Sequence, residues 1–329
     1  MAKAKETIQM DIGDMCVLIA SPHPQVIAHI QDRYHDFLSE EAPDFEIEMA
    51  FAEDADPAEY LDVPHEMLSD FIERSRAVEK RLEEPGAPSS SAVYWWGRQP
   101  SPFGESEADA LAGSKPKVAH LGHKILFQRS DFAGCMDIQA GQGRNIFGKN
   151  MLPFAVESFL RICYSFLAVE HGGLLLHSAG VLRGDNGYIF PGQSGTGKST
   201  IASLVTKHER VLSDEMVVVR IRDGQQLVYS TPFYGTNESA EQNIRADLKA
   251  AFLPIKDDEV YLKETRPAQA LSKLLASVLF FGQEVALNQH LMDISAGVVA
   301  QVPFYEIHFR RDDSFWACIA ERERMEVVK

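Results

Sequence analysis

A glycine-rich segment near the middle of the chain has the residue types and spacing of a phosphate-binding loop. Residues 192–199 read Gly-Gln-Ser-Gly-Thr-Gly-Lys-Ser, which matches GxxxxGK[ST]. An apolar strand is predicted over 188–191 and a helix over 200–205, the context in which this motif binds nucleotides. The glycines let backbone N–H groups face phosphate oxygens. The predicted nucleotide-binding residues are Gly192, Gln193, Ser194, Gly195, Thr196, Gly197, Lys198, Ser199 and Thr200.

The side chains in and after this loop indicate the chemistry. Lys198 can reach the β- and γ-phosphates of ATP, and the Ser199 hydroxyl can ligate Mg²⁺. Asp214 and Glu215 interrupt an apolar strand predicted over 211–219, one helix and one turn after the loop. Buried carboxylates are unfavourable unless they meet a metal or hydrogen-bond donors, and Mg²⁺ with a nucleotide supplies both.

The sequence does not decide which of the two carboxylates binds the metal and which accepts a proton. One of Asp214 and Glu215 can hold Mg²⁺, and the other or the same one can accept the proton of an attacking hydroxyl. Ser199, Asp214 and Glu215 are therefore the predicted metal ligands. The alternative is an acidic pair that faces water at the end of a strand.

His177 lies in an apolar strand predicted over 174–181, and the turn residues 183–187 lead from this strand into the strand of the loop. His177 is therefore expected on a neighbour of the phosphate-binding strand. Taken alone, a histidine in an apolar strand is typical of a hydrogen-bonded core residue.

The order of these three motifs resembles the kinase domain of HPr kinase/phosphorylase and of the HPr-kinase-related proteins, which share a core with phosphoenolpyruvate carboxykinases. The resemblance covers residues 147–329. It implies an α/β fold, a P-loop mixed sheet with flanking helices. It also implies that His177 contacts the transferred phosphate, that Lys198 and Ser199 bind phosphate and Mg²⁺, and that Asp214 and Glu215 act at the metal and the substrate hydroxyl. The implied catalytic residues are His177, Lys198, Asp214 and Glu215.

The chain departs from this family in two places. Glu215 stands where the authentic HPr kinases have Asp, and their glycine-rich C-terminal signature is not found, so we do not expect the reverse phosphatase activity. Residues 230–236 instead look like the Pro-Phe element of stand-alone relatives associated with peptide-modifying systems. Arg245 and Arg266, expected on helices, are candidate phosphate or substrate contacts.

Three functions fit these residues. The favoured one is a kinase that uses ATP and Mg²⁺ to phosphorylate a hydroxyl of a peptide or small protein, with serine as the expected acceptor. The alternatives are a kinase for a free amino acid or sugar, and a non-catalytic module that senses nucleotide. A decarboxylating carboxykinase would need a larger set of metal ligands than the sequence offers outside the loop.

Composition narrows the partners and the compartment. The 329 residues carry 48 acidic and 32 basic side chains, a net charge of −16, which argues against nucleic acid or an anionic membrane as a partner. The four cysteines are widely spaced, with no pair at metal spacing, so we expect a reducing, cytoplasmic setting. We expect neither a signal peptide nor a membrane span. Assembly into a homo-oligomer stays open.

Two domains are predicted. Residues 1–146 form an acidic α+β domain with a substrate-binding or lid role, and residues 147–329 form the catalytic domain. Most of the excess negative charge lies in residues 31–90, and residues 52–84 are expected to be a solvated face. Residues 86–117, rich in Pro, Ser and Gly, are expected to form a mobile loop beside one docked strand that contains Tyr94, Trp95 and Trp96.

Overall fold

Contacts within the chain divide it into two compact units. The N-terminal unit comprises residues 1–164 with 281–284, and the C-terminal unit comprises residues 165–280 with 285–329. The computed structural model describes residues 4–69, 71–73, 116–129, 131–148, 152–193, 195–205, 209–233 and 242–327. The division lies between residues 164 and 165, whereas the domain boundary was predicted near residue 147.

The N-terminal unit is built on a mixed seven-stranded sheet. Its strands are β1 (Glu6–Asp11), β2 (Cys16–Ser21), β3 (Phe45–Phe51), β4 (Lys117–Leu121), β5 (Lys124–Gln128), β6 (Phe132–Asp137) and β7 (Gln142–Phe147). They lie in the order β1-β2-β3-β7-β6-β5-β4. The pairs β2–β3 and β3–β7 are parallel and the remaining pairs are antiparallel. Strands β5 and β6 form an antiparallel hairpin in which Leu126 lies opposite Cys135.

Among the described residues of the first 164, three helices begin: α1 (Pro24–Arg33), α2 (Pro57–Leu61) and α3 (Leu152–Glu170). Helix α1 has Pro24 in its first turn, where the fixed φ of proline suits a helix start, and it buries Val26, Ile27 and Ile30 along one face. Helix α2 is capped by the Asp56 carboxylate, which accepts from two backbone N–H groups at 3.0 Å.

The prediction of a solvated face over residues 52–84 is wrong for the part that the structure describes. One buried cluster contains Leu61 of α2, Leu68 of the 3₁₀ turn His65–Leu68, and Phe71, together with Leu126 of β5. Acidic residues alternate with these apolar ones, so the segment is amphipathic although its net charge is negative. The loop and docked strand predicted over 86–117 lie outside the described residues, apart from 116 and 117.

The C-terminal unit contains the phosphate-loop motif. Its strands are β8 (Gly173–Arg183), β9 (Asn186–Pro191), β10 (Glu209–Ser213), β11 (Met216–Arg222), β12 (Gln225–Tyr229), β13 (Arg245–Lys256), β14 (Tyr261–Glu264) and β15 (Phe304–Phe309). Its helices are α4 (Lys198–Ser203), α5 (Pro267–Leu275), α6 (Val285–Gln301) and α7 (Ser314–Val327). The sheet runs in the order β10-β8-β11-β12-β13-β15-β14, and β9 pairs with both β8 and β13.

The parallel part of this sheet positions the loop. Strands β9 and β15 are both parallel to β13, so the carboxyl ends of all three point to the same edge. In open α/β sheets, ligands bind at that edge. One apolar cluster packs α5 and α6 on the sheet, and a second packs α4 and α7.

Both units combine helices with a mixed sheet, which confirms the α/β class. Within the described residues, none of the helices is both long and apolar enough to cross a lipid bilayer.

Candidate functional site

The phosphate-loop motif lies between β9 and α4, as its strand-loop-helix context predicts. Strand β8 is the antiparallel neighbour of β9, with Ser178 opposite Pro191. The carbonyl of His177 accepts from the N–H of Gly192 at 3.3 Å. The prediction that His177 lies on a neighbour of the loop strand is confirmed, and this residue also fixes where the loop begins. Ser194 lies outside the described residues.

Two glycines of the loop adopt backbone angles that side chains disfavour. Gly195 has φ +84° and Gly197 has φ +113°. At Gly197 space is also short, because a Cβ atom there would lie 2.7 Å from the ring of Phe309. The glycine spacing of the motif is therefore required by the path of the backbone, and at Gly197 by packing as well.

Two residues of the loop, Lys198 and Thr196, donate to carbonyls of the loop itself. Lys198 is only 5% exposed, and its Nζ donates to the carbonyls of Gly192 at 2.8 Å and Gln193 at 3.1 Å. The Gln193 carbonyl also accepts from the hydroxyl of Thr196 at 2.9 Å and from its N–H at 3.3 Å. The same donors could bind phosphate oxygens in their place.

Asp214 and Glu215 form a corner between two strands. The hydroxyl of Ser213 accepts from the N–H groups of Glu215 at 3.2 Å and Met216 at 3.0 Å. This side-chain turn competes with strand hydrogen bonding. The continuous strand predicted over 211–219 is therefore wrong. Both β10 and β11 pair with β8, and the corner between them places Met216 opposite His177.

The corner brings a carboxylate to the histidine. Nε2 of His177 lies 3.3 Å from Oε1 of Glu215, and each side chain is 30% exposed. The backbone carbonyl of Glu215 accepts from the N–H of Ser178 at 3.0 Å, which holds the corner against β8. Asp214, in contrast, is only 1% exposed.

The carboxylates of the acidic corner act electrostatically on the lysine of the loop. Burial lowers the pKa of Lys198, and the negative charges of Glu215 and Asp214 oppose this shift. The carboxylates are therefore close enough to act on the ammonium group. The structure brings together His177, Lys198, Asp214 and Glu215, which the sequence analysis named as catalytic.

The donor set suits Mg²⁺ bound together with a nucleotide. Ser199 follows Lys198 in the first turn of α4, and its hydroxyl and the carboxylates of Asp214 and Glu215 offer oxygen ligands. Among the residues that the structure describes, no group of three or more His, Cys, Asp or Glu side chains forms a metal site. Mg²⁺ in nucleotide sites usually takes one or two carboxylates, with phosphates and water as further ligands. The residues present fit that arrangement.

Two further side chains contact this region, although no sequence motif marks them. The buried hydroxyl of Thr231 donates to the carbonyl of Met216 at 2.7 Å, beside the acidic corner. The Nζ of Lys256 donates to the carbonyl of Gly195 at 2.9 Å. Both residues are distant in sequence from the groups that they contact, so only sheet pairing could have identified them.

The other predicted contacts lie as follows. Arg245 begins strand β13 instead of lying on a helix, and it lines an open cavity of about 440 Å³ with Arg222 and Asp247. Arg266 is exposed at the start of α5. Of the Pro-Phe element at 230–236, residues 234–236 lie outside the described residues.

No protein-family model matches this chain, and no curated protein matches its sequence. The chemistry of the site is therefore inferred from its own residues.

Proposed function

We propose that the chain is a Mg²⁺-dependent kinase that transfers the γ-phosphoryl group of ATP to a hydroxyl group, with a serine of a peptide or small protein as the favoured acceptor. The observation that carries this proposal is the contact between His177 and Glu215 at 3.3 Å, next to a P-loop lysine on which Glu215 acts electrostatically. Phosphoryl transfer needs a bound phosphate, charge neutralisation and a proton acceptor within one small region.

The loop supplies phosphate binding. Lys198 is held inward by the carbonyls of Gly192 and Gln193, so its ammonium group is already placed inside the loop. When a nucleotide enters, Lys198 would neutralise charge on the β- and γ-phosphates, and the N–H groups of the loop would hold their oxygens. His177 would contact the transferred group from β8.

Exposure separates the roles of the two carboxylates. Glu215 is partly exposed beside His177, so an acceptor hydroxyl can reach it from solvent. We assign Glu215 as the group that accepts the hydroxyl proton. Asp214 is buried and its charge acts on Lys198, and it would hold Mg²⁺ together with Ser199. The bound ion would offset negative charge on the phosphates.

A relationship to the HPr kinase/phosphorylase group is part of this proposal. It is supported by a strand histidine beside the P-loop strand and by an acidic corner that reaches this histidine. We also place the protein in the cytoplasm. All four cysteines are free thiols, which suits a reducing compartment.

A transfer assay tests the proposal. Purified protein would be incubated with Mg²⁺ and γ-labelled ATP, and offered serine peptides, free serine and sugars. Lys198→Ala is the inactive control. Lys249→Ala is the matched control, because Lys249 lies on β13 in an ion pair with Asp247.

The outcome assigns the acceptor class. Label on a peptide serine that is lost only in Lys198→Ala would support the peptide kinase, and label on free serine or a sugar would favour the small-molecule kinase. ATP binding without transfer to any acceptor would contradict a kinase and favour a nucleotide-sensing module.

A further inference from the structure

The loop is braced from outside by the ends of two neighbouring strands. Lys256 is the last residue of β13, and its Nζ reaches the carbonyl of Gly195 across 61 positions of sequence at 2.9 Å. Phe309, the last residue of β15, is paired with Lys256, and its ring lies against Gly197. The two contacts lie on the two loop glycines that have left-handed backbone angles.

The contact of Lys256 with the Gly195 carbonyl also sets the direction of the neighbouring Thr196 N–H. A trans peptide is planar, so the C=O of Gly195 and the N–H of Thr196 point in opposite directions. When the carbonyl is held outward by Lys256, the N–H is directed inward. There it lies 3.3 Å from the Gln193 carbonyl, which Lys198 also contacts. Glycine has little conformational preference of its own, so without a brace this peptide plane can rotate.

We propose that Lys256 is a positioning residue of the nucleotide site, which acts through the peptide between Gly195 and Thr196 to aim the Thr196 N–H at a bound phosphate. This inference rests on the proposed function and deepens it. Lys256 itself lies on the outer side of the loop, on the carbonyl, whereas Lys198 lies on the inner side.

The chain offers a matched pair of lysines for the test. Lys256 and Lys249 are both exposed residues of β13, but the Nζ of Lys249 pairs with Asp247 at 3.1 Å. Lys256→Met keeps the stem of the side chain, whose Cε lies beside Gly197, and removes the donor. Lys256→Arg keeps a charged donor of similar reach.

The experiment measures the Kd of MgATP and MgADP by calorimetry, together with the thermal midpoint of each variant. We expect Lys256→Met to raise both Kd values about tenfold, because one charge-assisted hydrogen bond is lost. Lys256→Arg should remain within about threefold of the unchanged protein. Lys249→Met should leave both Kd values unchanged, and all thermal midpoints should agree.

The two proposals fail in different ways. If the unchanged protein does not bind MgATP, the proposed function fails. If it binds and Lys256→Met equals Lys249→Met, only the role of Lys256 fails. A Lys256→Met protein without a cooperative thermal transition would also overturn this role, because the residue would then support the fold and not only the loop. If Lys256→Arg binds MgATP as weakly as Lys256→Met, the positioning role of Lys256 is also overturned.

Discussion

Nε2 of His177 and Oε1 of Glu215 lie 3.3 Å apart, although the residues belong to different segments of the sheet. His177 lies within β8, and Glu215 lies in the corner that precedes β11. The same histidine holds the N–H of Gly192 through its carbonyl. One residue of β8 therefore contacts the start of the phosphate loop with its backbone and the acidic corner with its side chain.

Replacing Glu215 by Gln should lower kcat for phosphoryl transfer by about 10² to 10⁴. The amide keeps the size of the side chain but cannot accept the hydroxyl proton. The Kd of MgATP should change less than about threefold, because Glu215 is not assigned to the phosphates. Single-turnover rates and calorimetry separate the two effects. A transfer rate within about threefold of the unchanged protein would remove Glu215 from its role.

Replacing Asp214 by Asn should act on the metal requirement. Asp214 is buried and its charge acts on Lys198, and an amide oxygen is a weaker ligand for Mg²⁺ than a carboxylate. We expect the Mg²⁺ concentration for half-maximal activity to rise about tenfold. A Mg²⁺ titration at saturating ATP measures it. The assignment of Asp214 is contradicted if this concentration stays constant while kcat falls as in Glu215→Gln.

Replacing Lys198 by Met should abolish MgATP binding without loss of thermal stability. Burial holds the folded-state pKa of Lys198 below its ordinary value of about 10.5, so the charged side chain opposes folding. This penalty is complete below the folded-state pKa and disappears as the pH rises toward 10.5. The variant should therefore have a Tm at pH 7 equal to or above that of the unchanged protein, and the advantage should shrink at alkaline pH. A Tm that falls at pH 7 would contradict the conclusion that the charged Lys198 side chain opposes folding.

The ion pair of Glu306 should make the thermal stability of the protein depend on pH in the acid range. Its Oε2 accepts from Lys263 at 2.8 Å and its Oε1 from Gln269 at 2.7 Å, and the Lys263 contact is the largest cause that lowers the pKa of Glu306 below its usual 4.5. The stabilisation is present above pH 4.5 and is lost as the pH falls through the folded-state pKa. We expect Glu306→Gln to lower the Tm by roughly 1–2 °C at pH 7, since the lysine is exposed. Thermal melts from pH 7 to pH 3 should show the two proteins converge. If the difference in Tm between the two proteins is the same at pH 3 as at pH 7, the ion pair is not the cause of that difference.

Replacing Gly197 by Ala should damage nucleotide binding more than replacing Gly184. Both glycines have positive φ, but a Cβ at Gly197 would press on Phe309, whereas nothing lies within 4 Å of one at Gly184. The clash must move the loop or the ring, so we expect MgATP affinity to fall at least tenfold in Gly197→Ala. Gly184→Ala, in the β8–β9 turn, should bind normally. Equal affinities in calorimetry would show that the packing of Phe309 is not needed for binding.

Local patterns predicted the centre of the site. The motif lies between a strand and a helix that are adjacent in sequence, and His177 is joined to it by a short turn, so periodicity and turn residues were sufficient to place His177 beside the loop. The catalytic role of His177 was implied only by the resemblance to the HPr kinases. Lys256 could not be predicted, because its contact depends on the parallel pairing of β13 with β9. Strand β13 itself contains good helix formers such as Ala, Leu and Lys, and sheet pairing overrides their local preference.

The Gln193 carbonyl accepts from Lys198 and twice from Thr196, so several donors of the loop are bound to the loop's own backbone. An anion that enters must take these donors over, and binding is then an exchange of partners instead of a simple gain of contacts. Such an exchange has its own rate. Rapid-mixing traces should therefore show an observed association rate that levels off at high nucleotide concentration, at the frequency with which the loop releases its internal hydrogen bonds.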